Sequence, residues 1–481
     1  MTIPQALSEA ARRHAGRPAL IGHRVALTHA ELEGCIGRAA ADLASRGVRP
    51  GDVVGVSMAS SPLHLVTLLA LARAGACSVH VQPEMPRAAR EAMTAQFGVG
   101  AVIGEPGGRS RLKADPAWLK PEKAAARADR STPDAPWRLA LSSGTTGLQK
   151  AIRVTHAMAA AEAAAWFVCG PLAGDDRFLC HRGLDSNWGL MTALTHLVAG
   201  AAVVFPRSLG PEHYVEAIRQ HGVTQLIMAP ALLHELTRHL PAGGGGLPSV
   251  RVALASGSAL PPQVVAAALE RVSNNIATGY GASELGLVAF AGRDVLQRAP
   301  LSVGPLRVGF EAEVVDRSGA RVAPGVPGIL RFRRAGMAHE YYRNPEATAR
   351  GYRDGWFYPG DHGRIDAGGL LYIEGRLDDK LNLGGRKVEP LPIERALEEH
   401  PAVAEAAAFA AAPGGVARLY AAVVLRSPAD EKMLIAHCRA RIGAGFTPAR
   451  VFFARKLPRN EGGKLLRTAL ARRVRRPAPG S

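Results

Sequence analysis

Short apolar runs alternate with helix-patterned segments across the middle of this chain, and this alternation restricts the possible folds more than any other feature. The runs typical of buried strands lie at residues 201–205, 225–228, 252–255 and 275–278. Helical patterns fill the intervals, at residues 211–221, 230–239 and 261–272. Repeated strand–helix–strand units build a parallel sheet with helices on both faces. We therefore predict an α/β fold with a doubly wound sheet, in which ligands gather at the carboxyl ends of the strands.

The pattern changes near residue 302, where short strands and tight turns replace the alternation. Alternating segments surround Ser318-Gly319 and Pro324-Gly325, as expected of antiparallel hairpins, and residues 369–375 predict a further strand. Together these strands predict a small section resembling a β-barrel. Earlier in the chain, residues 104–136 are rich in Gly, Pro, Lys and Arg without clear periodicity, so we expect a surface connector there.

The C-terminal part of the chain predicts a separate α+β unit. A charged LDDK segment at 377–380 precedes a helix expected to begin at Pro392. Further elements are expected at residues 403–409, 419–425, 431–442 and 451–454. Because 481 residues are too many for one ordinary core, we predict two domains. The large N-terminal domain would span residues 1–376 and the small C-terminal domain residues 377–481.

A loop rich in glycine and hydroxyl side chains, SSGTTGLQK, runs from Ser142 to Lys150. Glycine lets a backbone approach a ligand closely, successive N–H groups form an anion-binding concavity, and hydroxyls add donors. A polyphosphate would fit, although an ordinary polar turn is the alternative. A Walker A loop is not favoured, because Gly144 and Gly147 are three residues apart and Ala151 follows the lysine. Residues 151–154 predict a strand, after which Thr155 can cap a helix.

Three other stretches carry side chains suited to nucleotide chemistry. In ATGYGASELG, from residue 277, we expect Tyr280 on a tight turn between two glycines, with Glu284 as a candidate ligand for a metal. The alternative is a surface turn with a solvated glutamate. Downstream, Asp361 is expected on a glycine-flanked turn, where it could accept from ribose hydroxyls. Arg376 would end a strand and reach a sugar or phosphate, or form an ion pair with Asp361. Lys464 follows a Gly-Gly turn and, taken alone, reads as a solvated lysine.

In this order and at these separations, the four stretches resemble the adenylate-forming superfamily. Its members include acyl-CoA and aryl-CoA synthetases, adenylation domains of peptide synthetases and firefly luciferase. The resemblance covers roughly residues 20–470 and implies a large N-terminal domain and a small, mobile C-terminal domain. In this family the small domain rotates about a hinge, here Asp378, between two half-reactions.

The resemblance also implies a role for each matching position. The residues that would hold ATP are Ser142, Ser143, Gly144, Thr145, Thr146, Gly147, Lys150, Gly257, Ser258, Tyr280, Gly281, Ser283, Asp361 and Arg376. Glu284 would bind Mg²⁺, and Lys464 would be the catalytic lysine that bridges the carboxylate and the α-phosphate. The positions implied near the acid or the thiol are Asp185, Trp188, Gly279, Gly384 and Gly385.

Three positions depart from the usual pattern of the family. Gln149 stands where a proline usually precedes the loop lysine, and Ser283 stands where threonine is common. Leu383 replaces the small residue that usually precedes Gly384. These departures concern the stiffness of the loop and the shape of the thiol tunnel more than the chemistry.

The implied reaction joins two anions, a carboxylate and ATP, so Mg²⁺ and fixed cations must reduce their repulsion. The sequence favours a ligase that makes an acyl-AMP and transfers the acyl group to CoA. Transfer to the phosphopantetheine of an acidic carrier protein, amide formation and a non-catalytic binding protein are the alternatives. Retention of Glu284, Asp361 and Lys464 argues against the last of these.

The small-molecule carboxylic acid stays open between aliphatic, aromatic and amino acids. Asp185 would suit the amine of an amino acid, but it would equally suit the cap of a helix. Trp188 could line a pocket or belong to the core.

Composition restricts the partners and the location. Lysine and arginine outnumber the acids by 59 to 41, a net charge of +18 that suits anionic ligands or an acidic partner protein. The basic tail lacks the aromatic residues that stack on bases, so we expect no nucleic acid. Five cysteines without a C-x-x-C pair predict buried, reduced thiols. Without a signal peptide or an apolar run approaching ~20 residues, we expect a cytoplasmic protein with no transmembrane segment.

Overall fold

The structure is a computed structural model. It describes residues 1–83, 85–108, 110–121, 129–142, 150–169, 172–181, 183–241, 246–377, 381–383, 386–388, 390–412, 417–443, 446–459 and 465–474. Two compact units make up the chain: unit 1 is Met1–Glu311 with Arg333–Phe357, and unit 2 is Ala312–Phe332 with Tyr358–Ser481. The domain boundary predicted between residues 376 and 377 stays a prediction.

The α-helices of the described residues are α1 (Ile3–Arg13), α2 (His29–Ser45), α3 (Pro62–Arg73), α4 (Arg87–Phe97), α5 (His156–Cys169), α6 (Asn187–Val198), α7 (Pro211–His221), α8 (Pro230–His239), α9 (Pro262–Arg271), α10 (Arg293–Arg298), α11 (Pro345–Gly351), α12 (Pro390–Glu398), α13 (Glu431–Ile442) and α14 (Arg467–Val474). A short 3₁₀ helix spans Pro116–Leu119.

The strands are β1 (Pro18–Gly22), β2 (Val25–Thr28), β3 (Val53–Ser57), β4 (Cys77–His80), β5 (Ala101–Gly104), β6 (Leu112–Lys113), β7 (Pro136–Ser142), β8 (Lys150–Thr155), β9 (Arg177–Leu179), β10 (Ala202–Val204), β11 (Gln225–Met228), β12 (Val252–Ser256), β13 (Ile276–Ala282), β14 (Gly286–Ala291), β15 (Gly304–Pro305), β16 (Phe310–Val315), β17 (Gly328–Arg334), β18 (Tyr352–Arg353), β19 (Trp356–Phe357), β20 (Asp361–Ile365), β21 (Leu370–Arg376), β22 (Leu381–Leu383), β23 (Arg386–Val388), β24 (Val403–Ala411), β25 (Arg418–Leu425) and β26 (Val451–Phe453).

Two mostly parallel sheets form the frame of unit 1. The first has the strand order β14-β13-β12-β11-β9-β10-β1-β2, and the second has the order β6-β5-β3-β4-β7-β8. In the first sheet the neighbours from β13 to β1 run parallel, and β14 and β2 close its two edges in antiparallel pairs. The second sheet is parallel as far as β7 and ends in the antiparallel pair β7–β8. The predicted doubly wound α/β architecture is confirmed.

Local signals explain where the helices of unit 1 begin and end. Helix α7 starts at Pro211, whose fixed φ suits the first turn, and stops before Gly222, which takes the left-handed conformation with a φ of +57°. Thr155 caps α5 as predicted, since its hydroxyl accepts from the main-chain N–H of Met158 at 3.2 Å. Helix α3 is mostly apolar and is buried from Leu63 to Arg73, as expected of a helix packed on every side.

Residues 104–136, which we expected to form a surface connector, include regular elements and a buried side chain. They contain β6, which pairs with β5, and the 3₁₀ helix. Trp118 of that helix is only 2% exposed, and its indole N–H donates to the Asp42 carboxylate at 3.0 Å. Because the partner lies on α2, far away in the sequence, the burial of Trp118 left no periodic trace in its own segment.

The β section of unit 2 follows the hairpin prediction. Strand β17 pairs with β16 and, antiparallel, with β20, which in turn pairs antiparallel with β21. Gly319 and Gly325 adopt positive φ values of 89° and 83° at the predicted turns. Among the described residues of this unit the strands form an open sheet, so the predicted hairpins are present but do not close into a barrel.

The C-terminal part of unit 2 is built on the sheet β24-β25-β26. One apolar cluster joins this sheet to α12 and α13 through residues such as Ile393, Leu397 and Leu434. A second cluster joins it to α14 through Leu470. Helices therefore contribute apolar side chains to both clusters of an α+β fold, as predicted, although α12 begins at Pro390 rather than Pro392.

The described cysteines and helices bear on two predictions, that the thiols are buried and reduced and that no segment spans a membrane. Among the described residues, four cysteines are buried and form no disulfide, which confirms the prediction for them: Cys35, Cys77, Cys180 and Cys438. Burial raises the pKa of the Cys77 and Cys180 thiols to about 12, so both stay protonated. In the described part of the chain, every helix is too short or too polar to cross a bilayer.

We predict that the stability of unit 2 falls as the pH rises, because of Glu398 on α12. Burial raises the pKa of Glu398 to about 7, and the charges of Glu394 and Glu405 act in the same direction. The native state thus binds this proton more tightly than the unfolded chain, whose glutamates titrate near 4.5. The stabilisation is complete below that pH and is lost as the pH rises through 7.

We therefore expect Glu398→Gln to raise the free energy of unfolding by about 1–2 kcal/mol at pH 8 and to change it little at pH 5. The amide oxygen can still accept from the main-chain N–H of Ala406, which donates to the carboxylate at 3.1 Å. Denaturant unfolding at the two pH values measures the difference. Glu399→Gln is the control, because Glu399 is exposed and pairs with Arg441 at 3.1 Å. A gain of equal size for both variants would contradict the prediction.

Candidate nucleotide and metal site

The candidate site of unit 1 begins at the carboxyl edge of the first sheet. Gly257 and Ser258 follow the end of β12 and are exposed, and Gly257 has a φ of +99°. Ser256 pairs with Gly279 of the parallel neighbour β13, so Tyr280 lies directly beside the end of β12. Ligands of open α/β sheets gather at such an edge.

Tyr280 is not on a tight turn, contrary to our expectation. It lies inside β13, opposite Ala289 of β14, and the chain turns only after Ala282. The two flanking glycines serve close packing instead: a Cβ on Gly279 would lie 2.7 Å from Leu287, and one on Gly281 would lie 2.3 Å from the Gly286 carbonyl oxygen. The antiparallel partner thus extends the strand and leaves Tyr280 partly exposed and Gly281 exposed at its end.

Glu284 is held in the short connection between β13 and β14. The residue is 8% exposed, and its carboxylate accepts a hydrogen bond of 2.6 Å from the hydroxyl of Tyr341. Such a length is typical of a hydroxyl that donates to a charged carboxylate. Ser283, one residue earlier, is partly exposed. The alternative of a solvated surface glutamate is therefore wrong.

Lys150 approaches the same tyrosine from the second sheet. Its ammonium nitrogen lies 5.3 Å from the centroid of the Tyr341 ring, within the range of a cation–π contact. Lys150 begins β8 and pairs with Ser142 at the end of β7, so the two ends of the predicted phosphate loop meet. Glu284 and Lys150 thus both contact Tyr341, one at its hydroxyl and one at its ring.

Buried ion pairs lie against the connection between β13 and β14. Glu162 of α5 pairs with Arg334 at 2.7 Å and with Arg307 at 3.6 Å. Its carboxylate packs against Gly286, where a Cβ would lie 2.6 Å from the nearest carboxylate oxygen and where φ is +78°. Because α5 follows β8 directly, these ion pairs join the helix behind the predicted phosphate loop to the connection that carries Glu284.

Unit 2 brings together the two residues predicted to bind the ribose. Asp361, buried at the start of β20, accepts from Arg376 at the end of β21 at 3.0 Å. A second guanidinium nitrogen of Arg376 donates to the Pro359 carbonyl at 3.0 Å. Asp361 is the first residue of β20 and follows Gly360, whose φ is +82°. The expected glycine therefore precedes Asp361, but a strand rather than a turn follows it. The ion pair that we held as the alternative does form, and it fixes the orientation of the carboxylate.

The segment predicted to line the acid pocket follows β9, so it leaves the first sheet at the carboxyl edge, where Gly257 and Ser258 also lie. Buried Arg138 holds this segment by donating to the carbonyl oxygens of Leu184, at 3.1 Å, and Asp185. Burial lowers the pKa of Arg138 to about 10, so it stays charged. The cap of α6 is Ser186, whose hydroxyl accepts from the Gly189 N–H at 3.0 Å. Asp185 is therefore not the helix cap, and Trp188 lies partly exposed in the first turn.

Several predicted site residues lie outside the described residues. They are Ser143, Gly144, Thr145, Thr146, Gly147, Asp378, Gly384, Gly385 and Lys464, and for Ser142 only the main chain is described. The base of the segment that carries Lys464 is nevertheless defined, because Arg459 forms a β-bridge with Leu465. The Leu466 N–H also donates to the Pro458 carbonyl at 2.8 Å.

The side chains around Glu284 fit a magnesium ion that arrives with a nucleotide. Among the described residues, no group of three or more His, Cys, Asp or Glu side chains could hold a metal. Mg²⁺ commonly takes one or two carboxylates from the protein and completes its shell with phosphates and water. A single buried carboxylate beside a lysine that can neutralise phosphate matches this arrangement.

Tyr341 and Glu162 are the two candidate functional residues that our sequence reasoning missed. Tyr341 lies 57 residues from Glu284 along the chain. Its sequence signal is an aromatic pair, Tyr341-Tyr342, placed just before the Asn344 cap of α11. Glu162 is the only acid in the alanine-rich helix α5, and a lone acid in such a helix was the signal that could have identified it.

Comparison with known proteins agrees with this fold. The family model of the AMP-binding enzyme matches residues 7–342, and that of the AMP-binding enzyme C-terminal domain matches residues 392–464. The chain belongs to the AMP-binding enzyme family.

Two characterised relatives align over most of their length. A feruloyl-CoA synthase from Amycolatopsis sp is 30% identical over 93% of this chain and 94% of its own. The fatty acid–[acyl-carrier-protein] ligase ScoC from Streptomyces coeruleorubidus is 27% identical over 98% of both chains.

Two solved structures share the fold. The amide bond synthetase McbA from Marinactinospora thermotolerans has a TM-score of 0.85 and 27% identity, over 98% of this chain and 99% of its own. The o-succinylbenzoate-CoA synthetase MenE from Bacillus subtilis, in complex with ATP and a magnesium ion, has a TM-score of 0.84 and 24% identity. That match covers 97% of this chain and 98% of MenE.

Proposed function

We propose that this chain is an AMP-forming acid:thiol ligase. It would couple a carboxylic acid to ATP, release pyrophosphate, and pass the acyl group from the acyl-AMP to the thiol of CoA. The observation that carries the proposal is the contact of Glu284 and Lys150 with one tyrosine, beside the sheet edge where Tyr280 lies. The family membership and the relationship to a CoA synthase support the same reaction.

Each described site residue has a task in the adenylation step. Lys150 would neutralise the β- and γ-phosphates, and Tyr280 would stack on the adenine. Asp361, oriented by Arg376, would accept from the ribose hydroxyls. Glu284 would hold Mg²⁺, which when bound neutralises phosphate charge and so favours attack by a second anion. Lys464 would bridge the carboxylate and the α-phosphate, stabilising the charge of the pentacoordinate phosphorus.

The proposed acyl acceptor is CoA. Specific observations also support two alternatives. The relative ScoC uses an acyl-carrier protein, and a net charge of +18 on this chain would suit an acidic carrier. McbA forms amides on the same fold. Residues 377–481 would act as the mobile domain that carries Lys464, and the reaction would be cytoplasmic, where ATP and CoA are available.

The test measures pyrophosphate release with a panel of aliphatic, aromatic and amino acids, followed by mass spectrometry of the products. With an active acid, we expect an acyl-CoA when CoA is added. A modified holo-carrier protein without any acyl-CoA would transfer the proposal to the carrier alternative. An amide formed from an added amine, with both thiols unreactive, would favour the third candidate.

A further inference from the structure

An inference about Tyr341 deepens the proposed function and rests on its assignment of Mg²⁺ to Glu284. The tyrosine is 6% exposed, and its hydroxyl donates to Glu284, itself 8% exposed. A hydrogen bond to a carboxylate stabilises the rotamer that makes it. The Tyr341 hydroxyl therefore favours the observed orientation of the Glu284 carboxylate.

The tyrosine is itself held firmly in place. Its main-chain N–H donates to the hydroxyl of Thr348 on α11 at 2.9 Å. The ring meets Tyr352 edge to face, with the centroids 5.5 Å apart. The next residue is fixed as well, since the Tyr342 N–H donates to the Ala151 carbonyl of β8 at 2.7 Å. A donor held this rigidly can determine where the Glu284 carboxylate points.

The same residue reaches the end of the predicted phosphate loop. Lys150 places its ammonium group 5.3 Å from the ring centroid, and Ala151, the next residue, accepts from Tyr342. Tyr341 therefore touches the candidate metal ligand with its hydroxyl and the candidate phosphate ligand with its ring. Glu284 would hold Mg²⁺ and Lys150 would neutralise the phosphates, so their relative placement would matter for the binding of the two together.

We propose that Tyr341 is a positioning residue that aligns Glu284 and Lys150 for the magnesium complex of ATP. The hydroxyl sets the carboxylate that receives the metal, and the ring sets the ammonium that receives the phosphates. Tyr341 does not touch ATP in this proposal. It acts through the two residues that do, and the loss of its hydroxyl alone affects the metal complex and not the metal-free nucleotide.

The test compares Tyr341→Phe with Tyr342→Phe. Each removes one hydroxyl, but only that of Tyr341 donates to Glu284; the Tyr342 ring stacks near Phe97 at 6.4 Å. Calorimetry gives the Kd of each protein for ATP with excess Mg²⁺ and for ATP with EDTA. For Tyr341→Phe we expect about tenfold weaker binding of the magnesium complex, the loss of one hydrogen bond to a charged group. Binding of metal-free ATP should be unchanged, and Tyr342→Phe should match the wild type in both.

A double variant separates positioning from a general structural role. In the Glu284→Gln background we expect Tyr341→Phe to add little further loss, because its target charge is already gone. Equal weakening of metal-free and metal-bound ATP would overturn the positioning role, and so would an unchanged Kd for the magnesium complex. If wild-type protein bound ATP equally well with and without Mg²⁺, the magnesium assignment of the proposed function would fail instead.

Discussion

Replacing Lys464 with alanine is expected to lower the rate of acyl-adenylate formation about 10²–10³-fold, the usual cost of removing one preorganised group that stabilises transition-state charge. Thioester formation from added acyl-adenylate should be largely unchanged, because the carboxylate and the α-phosphate are already joined in that substrate. The β-bridge between Arg459 and Leu465 fixes the residue next to the lysine, so the substitution leaves the base of this segment intact. Rapid-quench measurement of the two half-reactions separates the effects.

Lys432→Ala is the matched control for charge. Lys432 is an exposed lysine on α13 of the same unit, and its loss also lowers the net charge by one. We expect wild-type rates for both half-reactions of this variant. An equal loss of both half-reactions in Lys464→Ala would contradict the role assigned to the lysine.

Replacing Glu284 with glutamine is expected to lower kcat/KM for the magnesium complex of ATP by about 10²–10³-fold. Glutamine has nearly the same shape and can still accept from the Tyr341 hydroxyl, which donates at 2.6 Å. The fold should therefore persist while the charge that would hold Mg²⁺ is lost. Steady-state pyrophosphate release over a range of Mg²⁺ concentrations measures the effect, and excess Mg²⁺ should restore part of the activity.

Glu270→Gln provides the comparison for this variant. Glu270 is an exposed glutamate on α9 whose nearest ion-pair partner is Arg271, at 3.5 Å. This control should retain the Mg²⁺ dependence of the wild type. If Glu284→Gln also retained it, the metal would have to be held by other residues.

Elements governed by local signals could be predicted from the sequence. Helices α7 and α8 begin and end at the predicted residues, because proline suits a first helical turn and glycine after α7 allows the left-handed conformation. Strand β11 also matches its prediction, since a short apolar run between two helical patterns has few other interpretations. The order of these elements was enough to predict the doubly wound sheet.

Features that depend on pairing or contact with another segment could not be predicted. Tyr280 lies in a strand because β14 pairs with it, and an alternating pattern was absent from the glycine-rich stretch itself. Trp118 is buried, and its indole N–H donates to Asp42, a residue on another helix. The bond between Tyr341 and Glu284 likewise joins segments that carry no common motif. Candidate chemistry-bearing residues were therefore easier to predict than the side chains that contact them.

Acid-dependent ATP–pyrophosphate exchange, with Mg²⁺ present and every thiol omitted, tests the central claim most directly. The exchange requires only the first half-reaction, so it does not depend on which acceptor follows. We expect at least one aliphatic, aromatic or amino acid to support exchange and to give a detectable acyl-AMP. Protein that binds ATP yet shows no exchange with any acid of the panel would contradict the assignment as an acid-activating ligase.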